Sequence, residues 1–392
     1  MADDILIIDG ARTPMGSLGG SLSSVPAPEL AAVAARRTLE KAAVPAETVD
    51  EVFMGCVLPA GLKQCPARQT AIGAGVPVSA GAVTVNKACG SGMQATIFGF
   101  DSIRAGTNRV VLCGGMESMS NAPHLLPGAR SGFRLGSATA YDHMMIDGLE
   151  DAYEGRPMGA YAQATADAEG ITREDMDNFA IESLRRAQAA IENGSLKDEI
   201  APVTVSSRRG DTVVTDDEQP PKADLERIPN LRPAFAKDGT ITAANASSIS
   251  DGGSALLLMS GEEAEARGVS GKARILAHAR HSQAPGEFTI APIGAIEKVL
   301  TATGWSADEV DLFEINEAFA MVTMLAMRAH NLPHEKVNIY GGACAVGHPI
   351  GSTGSRIIVT LMHALANTGG KRGIAALCIG GGEATAIAIE LC

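Results

Sequence analysis

Val111-Leu112-Cys113-Gly114-Gly115-Met116-Glu117 reappears towards the other end of the chain as Ala376-Leu377-Cys378-Ile379-Gly380-Gly381-Gly382-Glu383. A second pair keeps the same order. Leu39-Glu40-Lys41 followed by Thr48-Val49-Asp50-Glu51-Val52-Phe53 resembles Ile296-Glu297-Lys298 followed by Asp308-Glu309-Val310-Asp311-Leu312-Phe313. These matches stand about 260 residues apart, a period far longer than the few tens of residues of a solenoid. A duplicated unit is therefore expected, with Cys113 and Cys378 in equivalent places.

Each unit reads as helix, strand, Gly-rich turn, helix, strand. In the first, residues 27–43 have the Ala/Leu pattern of a helix, 49–57 a strand, 94–105 a helix after the turn and 109–113 a buried strand. Residues 292–301, 312–315, 351–366 and 373–379 follow the same order in the second, which closes with a strand over 384–391. This alternation predicts α/β units around a mostly parallel sheet. The first unit reaches its closing strand, 253–260, only after about 130 further residues, which are polar, rich in Pro and Gly, and carry an amphipathic helix over 173–193. The expected division is 1–120 with about 249–268, an inserted lid or loop domain over 121–248, and 269–392.

The charge balance, 32 Lys+Arg against 45 Asp+Glu for a net −13, excludes the basic face that a nucleic-acid binder needs. The apolar runs are strand-sized, well short of the ~20 residues of a membrane helix, so no membrane span is expected. The start, MADDILIIDG, is acidic and passes into an apolar strand-like run, unlike a secretory leader, so a cytoplasmic protein is expected. Seven cysteines without C-x-x-C spacing predict free thiols, with neither a disulfide framework nor a metal site.

Chemistry concentrates in glycine-flanked segments. Cys89 in Asn86-Lys87-Ala88-Cys89-Gly90-Ser91-Gly92 sits where a strand gives way to a helix. The free amides and positive end of that helix are expected to lower the thiol pKa and to cradle an oxyanion. His348 in Gly347-His348-Pro349-Ile350-Gly351 falls in the equivalent turn of the second unit. Halves packed about a pseudo-twofold axis would bring the two turns together as a nucleophile and its base. Cys378 ends a buried strand before three glycines, so a second thiol can stand beside the first with the Gly380–Gly382 amides free to donate.

These segments, together with Asn316-Glu317-Ala318-Phe319-Ala320, Gly114-Gly115-Met116-Glu117-Ser118 and Arg12-Thr13-Pro14-Met15-Gly16, closely resemble the thiolase family, and within it the acetyl-CoA C-acetyltransferases, from about residue 5 to 391. The resemblance implies an α/β fold of duplicated β-α-β-α-β-α-β-β halves in a layered α-β-α-β-α arrangement with an inserted loop domain. It implies a reversible, ping-pong Claisen condensation of two acetyl-CoA to acetoacetyl-CoA plus coenzyme A, or thiolysis of short-chain 3-ketoacyl-CoA. Carried over residue by residue, Cys89 takes the acyl group and His348 activates it, later binding the thioester oxygen. Cys378 moves the α-proton, Asn316 holds a water in the enolate oxyanion hole, and the amides of Cys89 and Gly380 form a second hole. Ser247 touches the pantetheine arm. Coenzyme A is a substrate, and no permanently bound cofactor is implied. Its phosphates make Lys222 a candidate contact, among basic residues of the insert that include Arg208, Arg209, Arg227, Arg232 and Lys237. Residues 121–140 resemble the loop that pairs dimers in many members, which implies a homotetramer, with a dimer as the alternative.

Three positions depart from the family pattern. Arg156-Pro157 stands where many biosynthetic members have a histidine before the Met-Gly at Met158-Gly159, and Glu383 and Cys344 also differ. The competing readings are a broader-chain 3-ketoacyl-CoA thiolase of fatty-acid degradation, a decarboxylating ketoacyl synthase, a Cys–His thioesterase and a silent acyl-CoA carrier. A synthase would not carry Cys378 and its glycine turn, a thioesterase needs no second thiol, and a carrier needs none of these groups.

Overall fold

The computed structural model describes residues 4–392; the first three residues, part of the start on which the leader expectation rests, lie outside them. In chain order the elements that matter for the site are β1 (Ile5–Arg12), α1 (Ala27–Ala42), β2 (Glu51–Gly55), α2 (Pro66–Gly73), β3 (Gly81–Val85), α3 (Ser91–Arg104) and β4 (Val110–Ser118). The insert contributes α4 (Met158–Ala168) and α5 (Arg173–Glu192), the latter opened by a capping box between Thr172 and Asp175. There follow β5 (Ser250–Ser260), β6 (Ala273–Ser282), α6 (Ala291–Thr303), β7 (Leu312–Ile315), α7 (Ala320–His330), α8 (Thr353–Thr368), β8 (Arg372–Ile379) and β9 (Glu383–Leu391).

The duplication is visible in hydrogen bonds as well as in element order. Asp50, just before β2, accepts from the amides of Arg109 and Val110 through one carboxylate oxygen; Asp311, just before β7, accepts in the same way from Lys371 and Arg372. The Asp50 amide in turn donates to Val110, and that of Asp311 to Arg372. This register makes Val110 the counterpart of Arg372, so Met116, not Cys113, is the counterpart of Cys378. The glycine-flanked cysteines matched in sequence are thus three residues out of structural register. Cys113 lies inside the core, sharing its thiol with Thr96 and the Leu256 carbonyl.

The strands run β3-β2-β4-β5-β1-β6-β9-β8-β7 as one sheet through both halves, joined where Ile5 faces Ile275 across an antiparallel β1–β6 pair. The expectation of a mostly parallel sheet is corrected. β2 pairs parallel with β3 and β4, and β7 with β8, but the other five pairs are antiparallel. Only strands linked by crossover helices packed on the sheet must run parallel; β9 follows β8 through a glycine turn, and β5 returns after an insert whose helices pack against the second half.

Alternation along the strands sorts side chains into layers. Val111, Leu256 and Leu258 face inward with Met93, Ile97 and Phe100 of α3 and Ile357, Ile358 and Leu361 of α8, both helices being shared by the two halves. Val110, Leu112 and Leu257 face the other way, against α1 and α2, while Ile374, Ala376 and Ala386 face α6 and α7. The result is helices, sheet, shared helices, sheet, helices. α4 and α5 of the insert pack with Phe319, Met321 and Cys378 of the second half.

Candidate active site

The first turns of the two shared helices meet at glycine. A Cβ on Gly92 would lie 2.7 Å from the Ser355 hydroxyl and 2.8 Å from its amide, and one on Gly354 would lie 2.4 Å from the Met93 nitrogen. No other residue permits that crossing. Cys89 precedes α3 and His348 precedes α8, so the contact brings their turns to one place. Ile350, two residues beyond the histidine, packs in the cluster against which Cys89 lies.

Cys89 is partly buried, and two amides serve its sulfur: its own and that of Gly380. The glycine-rich turn between β8 and β9 reaches it because Gly90 leaves room for Ile379, whose terminal carbon lies 2.3 Å from where a Gly90 Cβ would be. The expectation of a thiol made acidic by the helix end is corrected. Desolvation pushes Cys89 up to about 11, outweighing the two amides, and the nearby Glu117 adds to the rise. Helix α3 opens only at Ser91, so Cys89 stands ahead of its first turn. Cys378 is fully buried; burial raises it well above the ordinary thiol range, and Cys89 beside it raises it further.

His348 is buried, with Nδ1 2.6 Å from the Thr353 hydroxyl. That hydroxyl donates to the Pro349 carbonyl at 3.1 Å, so the imidazole must donate from Nδ1. This tautomer leaves Nε2 as a lone-pair acceptor, and Nε2 is buried without a protein partner. Burial, helped by the charge of Arg356, lowers His348 to about 3. Asn316 follows β7 and donates its amide N–H to Ala376, but its side-chain oxygen and nitrogen are both buried without a partner. Buried polar atoms are normally satisfied, so groups of this kind mark a place for a ligand or a water.

Two buried carboxylates hold the loops. Glu117 accepts from the amides of Val57 at 3.0 Å, Leu58 at 3.1 Å and Gly351 at 2.9 Å, tying the histidine loop to the first half. Desolvation nevertheless pushes it up to about 7. Glu317 accepts from the Cys344 amide, Ser183 and Asn338, fixing the segment before His348 against α5. Neither carboxylate was assigned a role from sequence. Glu117 stands inside a quoted motif, but its three amide partners come from segments remote in the chain.

Comparison with known proteins agrees with this arrangement. The family model for the thiolase N-terminal domain matches residues 5–262, and that for the thiolase C-terminal domain matches 269–391. The chain belongs to the thiolase family. It is 45% identical over 388 residues to an acetyl-CoA acetyltransferase of Pseudomonas aeruginosa, covering 98% of this chain and 99% of the relative. Acetyl-CoA acetyltransferase IA of Candida tropicalis is 46% identical, with 98% and 97% covered. Among solved structures, the Bacillus anthracis acetyl-CoA acetyltransferase superposes with a TM-score of 0.97 at 38% identity, with 99% of both chains covered. The Ascaris suum Acat5 thiolase in complex with coenzyme A superposes with a TM-score of 0.94 at 40% identity, covering 99% of this chain and 100% of that one.

In this thiolase a cavity of about 240 Å³ opens between the insert and the histidine loop, lined by Leu184, Lys222, Arg227, Leu231, Ala244 and Cys344 among others. Lys222 is exposed at its rim and ion-paired to Glu218 at 2.6 Å; Arg227 is the other cation of the lining. Ser247 is half-buried in the loop beside it and donates its amide to Ala318 of the Asn316 segment. Pro157 caps α4, and the sulfur of the next residue, Met158, lies 3.2 Å from where a Gly380 Cβ would be. Among the described residues no cluster of His, Cys, Asp and Glu could hold a metal, and no helix is long and apolar enough to cross a membrane.

Proposed function

We infer that this thiolase is an acetyl-CoA C-acetyltransferase, joining two acetyl-CoA into acetoacetyl-CoA and coenzyme A, and in reverse cleaving short-chain 3-ketoacyl-CoA with coenzyme A. The observation that carries the reading is the presence of two adjacent thiols, one served by two amides, together with an imidazole whose Nε2, and a carboxamide whose oxygen and nitrogen, are buried without partners. Relatives of this length and identity are named for that activity.

With Cys89 near 11 and His348 near 3, the resting pair is neutral, since an ion pair would face the desolvation cost on both groups. The Cys89 proton therefore leaves for His348 Nε2 as the sulfur attacks the thioester carbonyl. The charge that develops on the carbonyl oxygen falls to the amides of Cys89 and Gly380. Collapse breaks the bond to coenzyme A sulfur, which takes the proton from His348, leaving an acetyl group on Cys89. In the second half-reaction Cys378 gives its thiol proton to His348 and, as the thiolate, removes an α-proton from a second acetyl-CoA. Its strongly raised pKa matches a weakly acidic carbon acid, provided that donors stabilise the enolate oxygen. His348 and a water on Asn316 are assigned to that oxygen. The enolate carbon attacks the acetyl carbon and expels the Cys89 thiolate, which takes the proton from His348 and restores both thiols.

Lys222 and Arg227, the two cations lining the cavity between the insert and the histidine loop, are assigned to the phosphates, and Ser247, in the loop that continues from the lining residues Ala243 and Ala244, to the pantetheine arm. A homotetramer is proposed on two surfaces: β3 is the exposed edge of the sheet, and residues 121–140 expose Leu126, Phe133 and Leu135. Incubation with acetoacetyl-CoA and coenzyme A should consume the enolate absorbance, and mass spectrometry after acetyl-CoA should place an acetyl group on Cys89. Stable absorbance, or a label confined to another cysteine, refutes the reading.

A further inference from the structure

Lys87 and Glu383 form an ion pair that joins the Cys89 turn to the turn carrying Gly380. Neither residue has a role in the chemistry above, and both side chains are partly buried, at 22% and 35% exposure. The two turns they join are the ones whose separation sets the donor geometry at the sulfur. The Cys89 turn is strained but closed within itself. Ala88 holds a left-handed φ of 43°, and the turn is closed by the Lys87 amide donating to Ser91 and Ser91 donating to Ala88. The Gly380 turn is three glycines long, with φ of 95° at Gly381 and 87° at Gly382, and its backbone is tied at its base, where Ile379 pairs with Glu383, and at Gly382, whose carbonyl accepts from the Gln283 amide, leaving Gly380 itself without such a tie. Apolar contact supports one flank, where Ile379 seats against Gly90. The ion pair spans the other flank, from two residues before Cys89 to three after Gly380.

We propose that Lys87 and Glu383 are positioning residues for acyl transfer, forming a strut that holds the Gly380 N–H at the Cys89 sulfur and hence at the oxyanion of the first tetrahedral intermediate. The inference rests on Cys89 being the acylated nucleophile. A donor that strengthens its bond only as the oxyanion forms acts on turnover rather than on substrate binding, so the strut governs kcat and leaves KM alone.

The test is a double-mutant cycle on Cys89 acetylation, followed by quenched mass spectrometry, and on steady-state thiolysis. Lys87→Met and Glu383→Gln should each slow acetylation about tenfold, as expected for a loosened rather than a deleted donor, with KM for coenzyme A thioesters within about twofold. The double variant should be no slower than either single, because one strut is lost in all three. Lys87→Arg, which keeps charge and reach, should retain the parental rate. A single variant at parental rate, a double variant slower by the product of the singles, or a Lys87→Arg variant as slow as Lys87→Met overturns the proposal. Failure of the parent enzyme itself to acetylate at Cys89 overturns the underlying reading, and is seen before any variant is made.

Discussion

Gly115→Ala places one methyl group against the loop that carries His348. Its carbon would sit 2.1 Å from the Gly351 carbonyl oxygen and 2.9 Å from both the Gly351 carbonyl carbon and the Ser352 Cα, all of them backbone atoms. A carbon–oxygen contact needs about 3.3 Å, so the strand and the loop must part by about 1 Å. Gly351 cannot yield independently, because its amide is held by Glu117 and the following turn holds the imidazole through Thr353. The displacement therefore passes to His348, and a misplacement of about 1 Å corresponds to a fall in kcat of roughly 10²-fold. Overpacking of this kind also costs about 1–3 kcal/mol of stability. Gly99→Ala separates the two effects. Its methyl would meet only side chains, Leu258 and Val111 at 3.1 Å, in the shared core away from the loop, so stability should fall while kcat holds. Thiolysis rates at saturating coenzyme A, measured with thermal unfolding of each variant, decide the matter. A folded Gly115→Ala enzyme with kcat within threefold of the parent would show that the loop position is not what sets the rate.

Cys378→Ala should still acquire an acetyl group on Cys89 yet lose condensation and thiolysis by about 10²–10⁴-fold, the range for a positioned acid–base group; near-parental turnover would remove Cys378 from the α-proton step. Pro157→His adds a donor at the cap of α4, worth about 0.5–1.5 kcal/mol, and should shift KM for coenzyme A thioesters by up to tenfold with kcat within a few-fold. Because Met158 abuts Gly380, a collapse of kcat at constant KM would instead mean that this cap shapes the catalytic turn. Burial raises the Glu117 carboxyl from 4.5 to about 7, so between those values the folded form binds more protons than the unfolded one. Its contribution to stability is complete below pH 4.5 and is lost as pH rises through 7. Glu117→Gln should flatten urea-midpoint curves over that window, and parallel curves for variant and parent would contradict the raised pKa.

The duplicated fold was legible because Asp50 and Asp311, embedded in matching strings, perform the same backbone task in each half. The register of the glycine motifs was not. Val111–Glu117 and Ala376–Glu383 look alike through composition, while hydrogen bonding shifts them by three residues. The residues assigned to the chemistry could be named from their local motifs, and the structure brings Cys89, Cys378 and Gly380 together. Their protonation states could not be read, since the pKa of Cys89 is decided by desolvation from segments hundreds of residues away rather than by the helix that follows it. The supports, Glu117, Thr353 and the Gly92–Gly354 crossing, were equally hidden: each is an ordinary residue whose importance lies in a partner from the other half.

That crossing also bears on how such an enzyme can diversify. Where two helices touch through glycine backbones, neither Gly92 nor Gly354 can be enlarged without moving the facing helix, and the halves cannot slide without altering the relation of sulfur to imidazole. Variation in substrate preference is thereby driven outward, to the insert whose helices and loops line the approach but take no part in the seam. Changing the acyl group an enzyme of this architecture accepts is then a problem of remodelling α4, α5 and the segment around Ser247. The same chemistry can serve many thioesters while its interior stays frozen.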